Sequence, residues 1–581
     1  MKNIIATVIL TVSVMFFVST SQALAGATDT LVVYASGLPL DQAINSDTTS
    51  TGLQAHGAYK LVSLDTTYIF LGPASVKSSI AVIGVLGNDG RPPCVQPGVL
   101  GDGSLPYYLF VMNGIHTVGT FQNLYLTGLA TNNTINQLNT NGVGALIQLS
   151  ADSIKCHVNN VVFSDFPENM ISYSGNWCDI FVTNCKFRNG VSATQWYSGE
   201  AVRNQYNTAP TDSLVMKYNT VFAINSYAAG PVTVTLVNYF EFSHNNVMDI
   251  FQNPFWIFNV TNAKVDNNVF YANWMGGVTT TEYSGYWDQL WSIEIGSIID
   301  LDTLDIAKAK VFDPADSANA NIRWLAEAKR NIEVKNNAYF MPTAVTNFWT
   351  AWDDTAHGAD SIYTPGWMDA RTTNMFADKT HWPGLVESGN MNVDPGFGPS
   401  IGQIVNSGQG DGVGEFQYFK DIRTNSASTD IYGYQLASVT GNNWTPAWPL
   451  PEATDMKYSN NSLKTGATDQ YPIGDPYWFT GLTGVATSAK AVPHAFTLSE
   501  AYPNPFNPST NVQYTLPASG SVNLKVYNVL GQLVKTLVDN EHQEAGTYTV
   551  RIDMSNVTSG VYFYSLEQGQ NRIVHKMMLL K

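Results

Sequence analysis

The sequence predicts an all-β chain, a right-handed parallel β-helix followed by a small Ig-like β-sandwich. Three observations carry this. An Asn-x-x-Phe (or Met) unit recurs within apolar strands, at Asn160–Phe163, Asn184–Phe187, Asn219–Phe222, Asn245–Met248, Asn267–Phe270 and Asn337–Phe340. Near the C-terminus, Val512, Tyr514 and Leu516 alternate with polar residues, as do Val522, Leu524 and Val526, and Tyr548, Val550 and Ile552. Such alternation marks half-buried strands. Asn, Thr, Ser, Gly and aromatic residues are abundant, which suits polar turns and stacked rings.

The chain opens with Lys2, an apolar run from Ile4 to Val18, and the small-x-small site Ala23-Leu24-Ala25. This pattern reads as a signal peptide over residues 1–25, with the mature chain starting near Gly26. The apolar run is short for a bilayer span, and no later stretch is expected to cross a membrane.

Residues 26–483 are assigned to the β-helix. Successive motif asparagines are 24, 35, 26, 22 and 70 residues apart. The short steps match one coil, and the long ones leave room for loops, the largest at 274–330. Asn123-Leu-Tyr-Leu126 reads as an earlier, degenerate copy. One coil cannot bury its own apolar face, whereas stacked coils share a continuous core. Asparagines at equivalent turns are expected to bond coil to coil, with the aromatics three residues on forming an internal stack. Gly484 to Pro493 reads as a linker, taken as 484–496, and 497–581 as the terminal domain. There, Asn528-Val-Leu-Gly531 and Thr558-Ser-Gly560 are turns between strands.

Two resemblances add to this reading. The terminal domain carries Tyr502-Pro-Asn-Pro-Phe-Asn-Pro508, Val526-Tyr-Asn-Val-Leu-Gly-Gln-Leu-Val534, Ala545-Gly-Thr-Tyr548, Ser559-Gly-Val-Tyr-Phe563 and a basic end from Lys576 to Lys581. In this order they resemble the type A C-terminal sorting domain of type IX secretion cargo. That implies recognition by the type IX machinery at the outer membrane, and a product secreted or attached to the outer cell surface. Ser79-Ile-Ala-Val-Ile-Gly-Val-Leu-Gly87 and Pro92-Pro-Cys-Val-Gln-Pro97 resemble the first coils of proteins with the pectate-lyase-like fold. Met391–Phe397 and Asp469–Pro476 resemble late-coil and closing segments of similar cargo.

Charged residues make up 13% of the chain and the formal net charge is -17. An acidic chain without a basic face excludes a nucleic-acid partner and disfavours anionic lipid. Cys94, Cys156, Cys178 and Cys185 lack zinc-type spacing. Export permits disulfides, Cys178–Cys185 being the nearest pair in sequence, and burial of all four as small apolar groups is the other reading.

On such a scaffold, function belongs to what leaves the coils. The 274–330 loop holds Trp274, Trp287, Trp291 and Trp324 among carboxylates, and Phe348–Asp354 holds Trp352. Rings beside carboxylates suit sugars, so these five tryptophans are candidate substrate-binding residues; packing of the rings onto the coils is the competing reading. Asp300 and Asp302 share a face if extended, as a hydrolase pair would. Lys186 and Arg188, two apart on a strand and expected to face outward, are lyase candidates or else a solvated surface pair. Polygalacturonases with this fold carry an Asn-Thr-Asp, Asp-Asp, Gly-His-Gly and Arg-Ile-Lys set, of which this chain has an isolated Asp353-Asp354, and no HExxH, Walker or CxxCH haem motif occurs. No metal ligands are identified. Calcium stays open as a cofactor, although Gly408–Gly414 offers one carboxylate, Asp411, too few alone. The expectation is a protein engaging an extracellular polysaccharide by binding or cleavage, as a polysaccharide lyase or glycoside hydrolase if an enzyme. The alternative is a structural or adhesive surface protein with no catalytic site.

Overall fold

The computed structural model describes residues 30–132, 144–190, 198–205, 209–230, 236–255, 257–279, 297–304, 326–356, 362–398, 437–440, 443–446, 456–467, 469, 471–480, 496–499, 501, 504–516, 520–543, 546–555, 557–568 and 571–580. The signal-peptide reading and the linker reading up to residue 495 therefore lie outside the described residues. The chain divides into two compact units, Met1–Gly481 and Leu482–Lys581.

The first unit is a parallel β-helix with three faces. The first face starts at Thr30–Val33, Ala58–Leu61 and Ile80–Gly84. It continues through Cys178–Thr183, Thr211–Lys217, Val237–Ser243, Val260–Asp266 and Asn331–Lys335 to Leu385–Ser388. The second face includes Lys186–Gly190, Thr220–Ile224, Asn246–Ile250, Val269–Asn273, Ala338–Phe340 and Met391–Asn392. Two long strands, Val118–Thr127 and Lys155–Ser164, bend around the corner and belong to both. The third face stacks Ala74–Val76, Tyr108–Met112, Ala145–Leu149, Asn169–Tyr173, Glu200–Asn204 and Ala229–Gly230.

Inward residues align coil on coil. Val158, Val182, Met216, Phe242, Val265 and Val334 form one row on the first face. Leu126, Phe163, Phe187, Val221, Val247 and Phe270 form one on the second. Phe163 and Phe187 stack at 4.7 Å and 1°. The helix Leu40–Ser46 packs on the first coils with Leu40 and Ile44 fully buried.

The corner between the first two faces is set by backbone handedness. Asn123, Asn160, Asn184, Tyr218, His244, Asn267 and Asn336 all have φ between 52° and 58°. Asn and His tolerate this left-handed region better than most side chains. The next residue carries the ladder. Nδ2 of Asn219 donates to Oδ1 of Asn245 (2.9 Å), Asn245 to Asn268 (3.1 Å), Asn268 to Asn337 (2.9 Å) and Asn337 to Asn390 (2.9 Å). The recurrent unit thus merges two registers. Asn160, Asn184 and Asn267 hold the left-handed turn, so their third-residue aromatics point inward. Asn219, Asn245 and Asn337 are ladder rungs, so Phe222, Met248 and Phe340 point outward into a second apolar layer. The aromatic column expected inside the coils is therefore split between the two sides of the sheet.

Gly84 ends its strand because a Cβ there would sit 1.9 Å from the Asn123 carbonyl oxygen. The four cysteines are buried free thiols, and the Cys178–Cys185 pair is not formed. Cys178 starts the strand Cys178–Thr183 and Cys185 lies beyond the turn at its far end; the strand alone spans roughly 16 Å, far beyond disulfide reach. Burial raises the Cys178 thiol to about 11 and Cys185 to about 12.

The second unit is a two-sheet antiparallel β-sandwich. Thr497–Leu498, Ser509–Leu516 and Gly546–Asp553 form one sheet. Leu533–Gln543, Gly520–Asn528, Gly560–Gln568 and Asn571–Leu579 form the other, in that order. Val512, Tyr514, Leu516, Val522, Leu524 and Val526 are all buried, as their alternation requires.

The Asn245→Ala variant is expected to lose about 3 kcal/mol or more, because buried groups of Asn219 and Asn268 and the Met216 carbonyl lose partners. Asn160→Gly, at a left-handed position, is expected to lose under about 1 kcal/mol. Urea unfolding midpoints of the two variants check the ranking.

Candidate functional site

The outward side of the second face is covered. Residues 456–467, 469 and 471–480 lie along it as a strap. Lys186, Thr220 and Asn246, aligned on consecutive coils, bind its Asp475 turn. Lys186 Nζ lies 2.8 Å from Asp475 Oδ2, Thr220 Oγ1 donates to the same oxygen at 2.8 Å, and the Asp475 amide donates to Asn246 Oδ1 at 3.0 Å. Tyr477 and Trp478 flank the Lys186 ammonium at 4.4 and 5.4 Å. His244 Nε2 meets Asp469 Oδ2 at 2.9 Å and its Nδ1 meets the Pro472 carbonyl oxygen at 3.1 Å. Gly474, at φ +88°, passes close to Asn246; a Cβ there would lie 2.1 Å from its Oδ1.

Lys186 and Arg188 are therefore neither a solvated pair nor open to a substrate. Both point outward from the coil, as expected, but both are buried. The strap comes from nearly 300 residues downstream, which is why the local sequence did not reveal it.

The other sequence candidates fall into the core or into ion pairs. Asp300 is fully buried and lies 2.7 Å from Arg371, which also meets Asp302 at 3.5 Å and Asp369 at 3.7 Å. Trp274 is buried, with Nε1 donating to the Ser297 carbonyl at 3.3 Å. The Phe348–Asp354 cluster lies on a helix, Thr343–Ala356, and Trp349 is buried with Nε1 on the Met275 carbonyl at 2.7 Å. Trp382 is buried on Glu327, which pairs with buried Arg330. Trp287, Trp291, Trp324, the Trp352 side chain and the Gly408–Gly414 loop lie outside the described residues.

The outward side of the first face carries functional groups in ordered rows that the sequence reading missed. From Lys155–Ser164 to Asn331–Lys335, the central row is His157, Phe181, Val215, Glu241, Lys264 and Glu333. On one side runs Lys155, Asp179, Ser213, Tyr239, Asn262 and Asn331; on the other, Asn159, Thr183, Lys217, Ser243, Asp266 and Lys335. His157 is exposed and stacks on half-buried Phe181 at 4.9 Å and 9°. Tyr239 is half-buried, and its hydroxyl donates to Glu241 Oε2 at 3.0 Å.

Lysines and carboxylates interlock along these rows. Lys217 lies 2.9 Å from Glu241, and Lys264 lies 3.8 Å from Glu241 and 3.2 Å from Asp266. Lys335 lies 3.0 Å from Glu333, and Lys155 lies 3.5 Å from Asp179. Ser243 bridges Glu241 and Asp266. Burial disfavours the charged form of Glu241, but Lys217, Lys264 and the hydrogen bonds from Lys217 and Tyr239 outweigh it and hold the carboxyl below its ordinary range. Glu241 thus stays ionised near neutrality and is unsuited to donate a proton. The Tyr239 hydroxyl is pushed up, by burial and by Glu241. The period-two spacing of these residues was visible in the sequence, but which coils would align was not.

A different carboxyl is held near neutrality. Glu200, on the third face, is pushed up to about 7 by burial, which outweighs Arg203 at 3.0 Å and Ser226. Among the described residues no group of three His, Cys, Asp or Glu side chains is placed to hold a metal ion. No helix among the described residues is long and apolar enough to cross a membrane.

Residues 500–580 match the family described as Secretion system C-terminal sorting domain. The comparison with curated proteins gave no match. The C-terminal sandwich is thus a type IX sorting domain, and the protein is cargo that is secreted or attached to the outer cell surface, addressed to the type IX machinery through this domain.

Two outcomes are expected from the ion pairs. Asp475→Ala leaves Lys186 buried without its carboxylate and should cost about 3–5 kcal/mol, with faster hydrogen exchange across residues 456–480. Lys217→Met should cost about 1–3 kcal/mol at neutral pH. The Glu241 carboxyl is depressed in the fold, so its contribution is present above the ordinary value of 4.5 and is lost as pH falls through the folded value. Urea midpoints of the Lys217→Met variant and the parent should therefore converge as pH drops below 4.5.

Proposed function

We propose that this exported protein engages an extracellular polysaccharide through the outward side of the first face of its β-helix. The observation that carries the reading is the ordered, partly exposed surface around the His157–Phe181 stack and Tyr239, flanked by Ser213, Asn262, Asn331, Asn159 and Thr183. Rings offer a stacking surface for the C–H face of a sugar. Hydroxyl and amide groups on either side offer hydrogen bonds to its hydroxyls. The parallel rungs repeat every 4.7–4.9 Å or so along the axis, a periodic template for a polymer rather than a pocket for a small molecule.

Binding is favoured over cleavage as the role of this face. Its central carboxylate, Glu241, is tied between two lysines and kept ionised, so it is not the protonated acid that glycoside hydrolysis needs. Export to the cell exterior supplies access to such polymers.

The full-length protein incubated with a polysaccharide panel tests this, with retention and released product both measured. Retention is expected, with a loss of at least tenfold in affinity for Phe181→Ala and for Tyr239→Ala. Retention undiminished in both variants would move the site off this face. Self-association or cell binding without any glycan retention would instead favour a structural surface protein.

A further inference from the structure

We infer that the polysaccharide engaged by the first face is uncharged, not a polyuronate or other polyanion. This rests on the reading of that face as the glycan-binding surface, and it follows from how its charges are arranged.

Between Lys155–Ser164 and Asn331–Lys335, each outward lysine is matched to a carboxylate: Lys155 to Asp179, Lys217 to Glu241, Lys264 to Glu241 and Asp266, and Lys335 to Glu333. Glu241 is shared by two lysines and is itself buried, so it cannot swing away to free them. Asp212, exposed and bonded by Asn238 at 2.8 Å, adds a further negative group at the same edge. The chain as a whole is strongly acidic, with a formal net charge of -17.

A polyanion binds by offering carboxylates or sulfates to cations that lack a partner. Here each incoming anion would have to displace a protein carboxylate held at 2.9–3.8 Å, and would meet the remaining ones as like charges. A neutral polymer meets no such cost. Its hydroxyls can bond to Ser213, Asn262 and Asn331, and its apolar faces can stack on Phe181 and Tyr239. Neutral hydrogen bonding and stacking are also little affected by salt, unlike contacts between exposed charges.

The test applies the full-length protein to a neutral glucan, a galactomannan, polygalacturonate and alginate, each at low and at high ionic strength. Retention by a neutral polymer that survives high salt, with none by either polyuronate, is expected. Glu241→Gln, which removes the carboxylate matched to Lys217 and leaves Lys264 with Asp266 alone, is expected to gain at least tenfold in retention on polygalacturonate at low salt. Glu333→Gln, at a carboxylate far more exposed than Glu241, frees Lys335 and should shift retention the same way, which guards against misfolding at the buried position. Retention of a polyuronate by the unmodified protein would overturn the inference while leaving the face as a glycan surface. Absence of any gain in both glutamine variants would also overturn it. Retention by none of the four polymers would remove the underlying reading, and the inference with it.

Discussion

A single coil of this protein has no interior. Its apolar residues are covered only when the next coil lies on them, so the register between coils governs everything else. That register is held at one corner. A left-handed residue turns the chain from the first face to the second at seven successive coils, from Asn123 to Asn336. The residue after it, an asparagine in the later coils, bonds to its counterpart above and below. The ladder amides of Asn219, Asn245, Asn268 and Asn337 are buried and committed, so a slip of one residue would leave donors and acceptors without partners on neighbouring coils. The same slip would turn inward residues outward. Turn and ladder thus fix which side chains enter the core and which line the surfaces.

Fixing the register in this way gives the two outward surfaces opposite fates. On the second face, Phe222, Met248, Tyr271 and Phe340 project away from the coil core and need a cover. The 456–480 strap supplies it, with Met456, Tyr458, Ile473 and Trp478 buried against that layer. Lys186 is the polar pin of this contact, and its charge is tolerated because Asp475 and two aromatic rings surround it. On the first face the outward rows are polar and charged, and they stay partly exposed. The uncovered face can meet a ligand, while the covered one stabilises the scaffold.

The charges of the uncovered face are compensated internally. A row of alternating lysines and carboxylates at consecutive coils avoids like charges side by side, which would be destabilising on adjacent strands. It also makes the surface nearly neutral on a chain that is strongly acidic. Export through the sorting domain delivers this surface to the cell exterior.

Much of this was legible in the sequence. The sorting domain was, because strand alternation and turn residues act over a few positions and need no distant partner. The existence of a stacked coil was legible too, because the Asn and aromatic repeats are local. The two registers hidden in the Asn-x-x-Phe unit were not, since asparagine serves equally as a left-handed turn residue and as a ladder rung. Asn267 and Asn268 perform the two tasks side by side. The candidate site was even less accessible. Lys186 reads as a surface residue until Asp475 is brought to it, and Trp274 reads as a sugar platform until the coil core encloses it. Lys217, Glu241 and Lys264 carry no motif, and they become one array only because coils of different length stack in register. The sequence by itself determined the address, the fold class and the repeating turn, all set by short-range periodicity. Only the tertiary structure decided which surface is covered, which is open, and which charges meet, because those depend on contacts between residues tens to hundreds of positions apart.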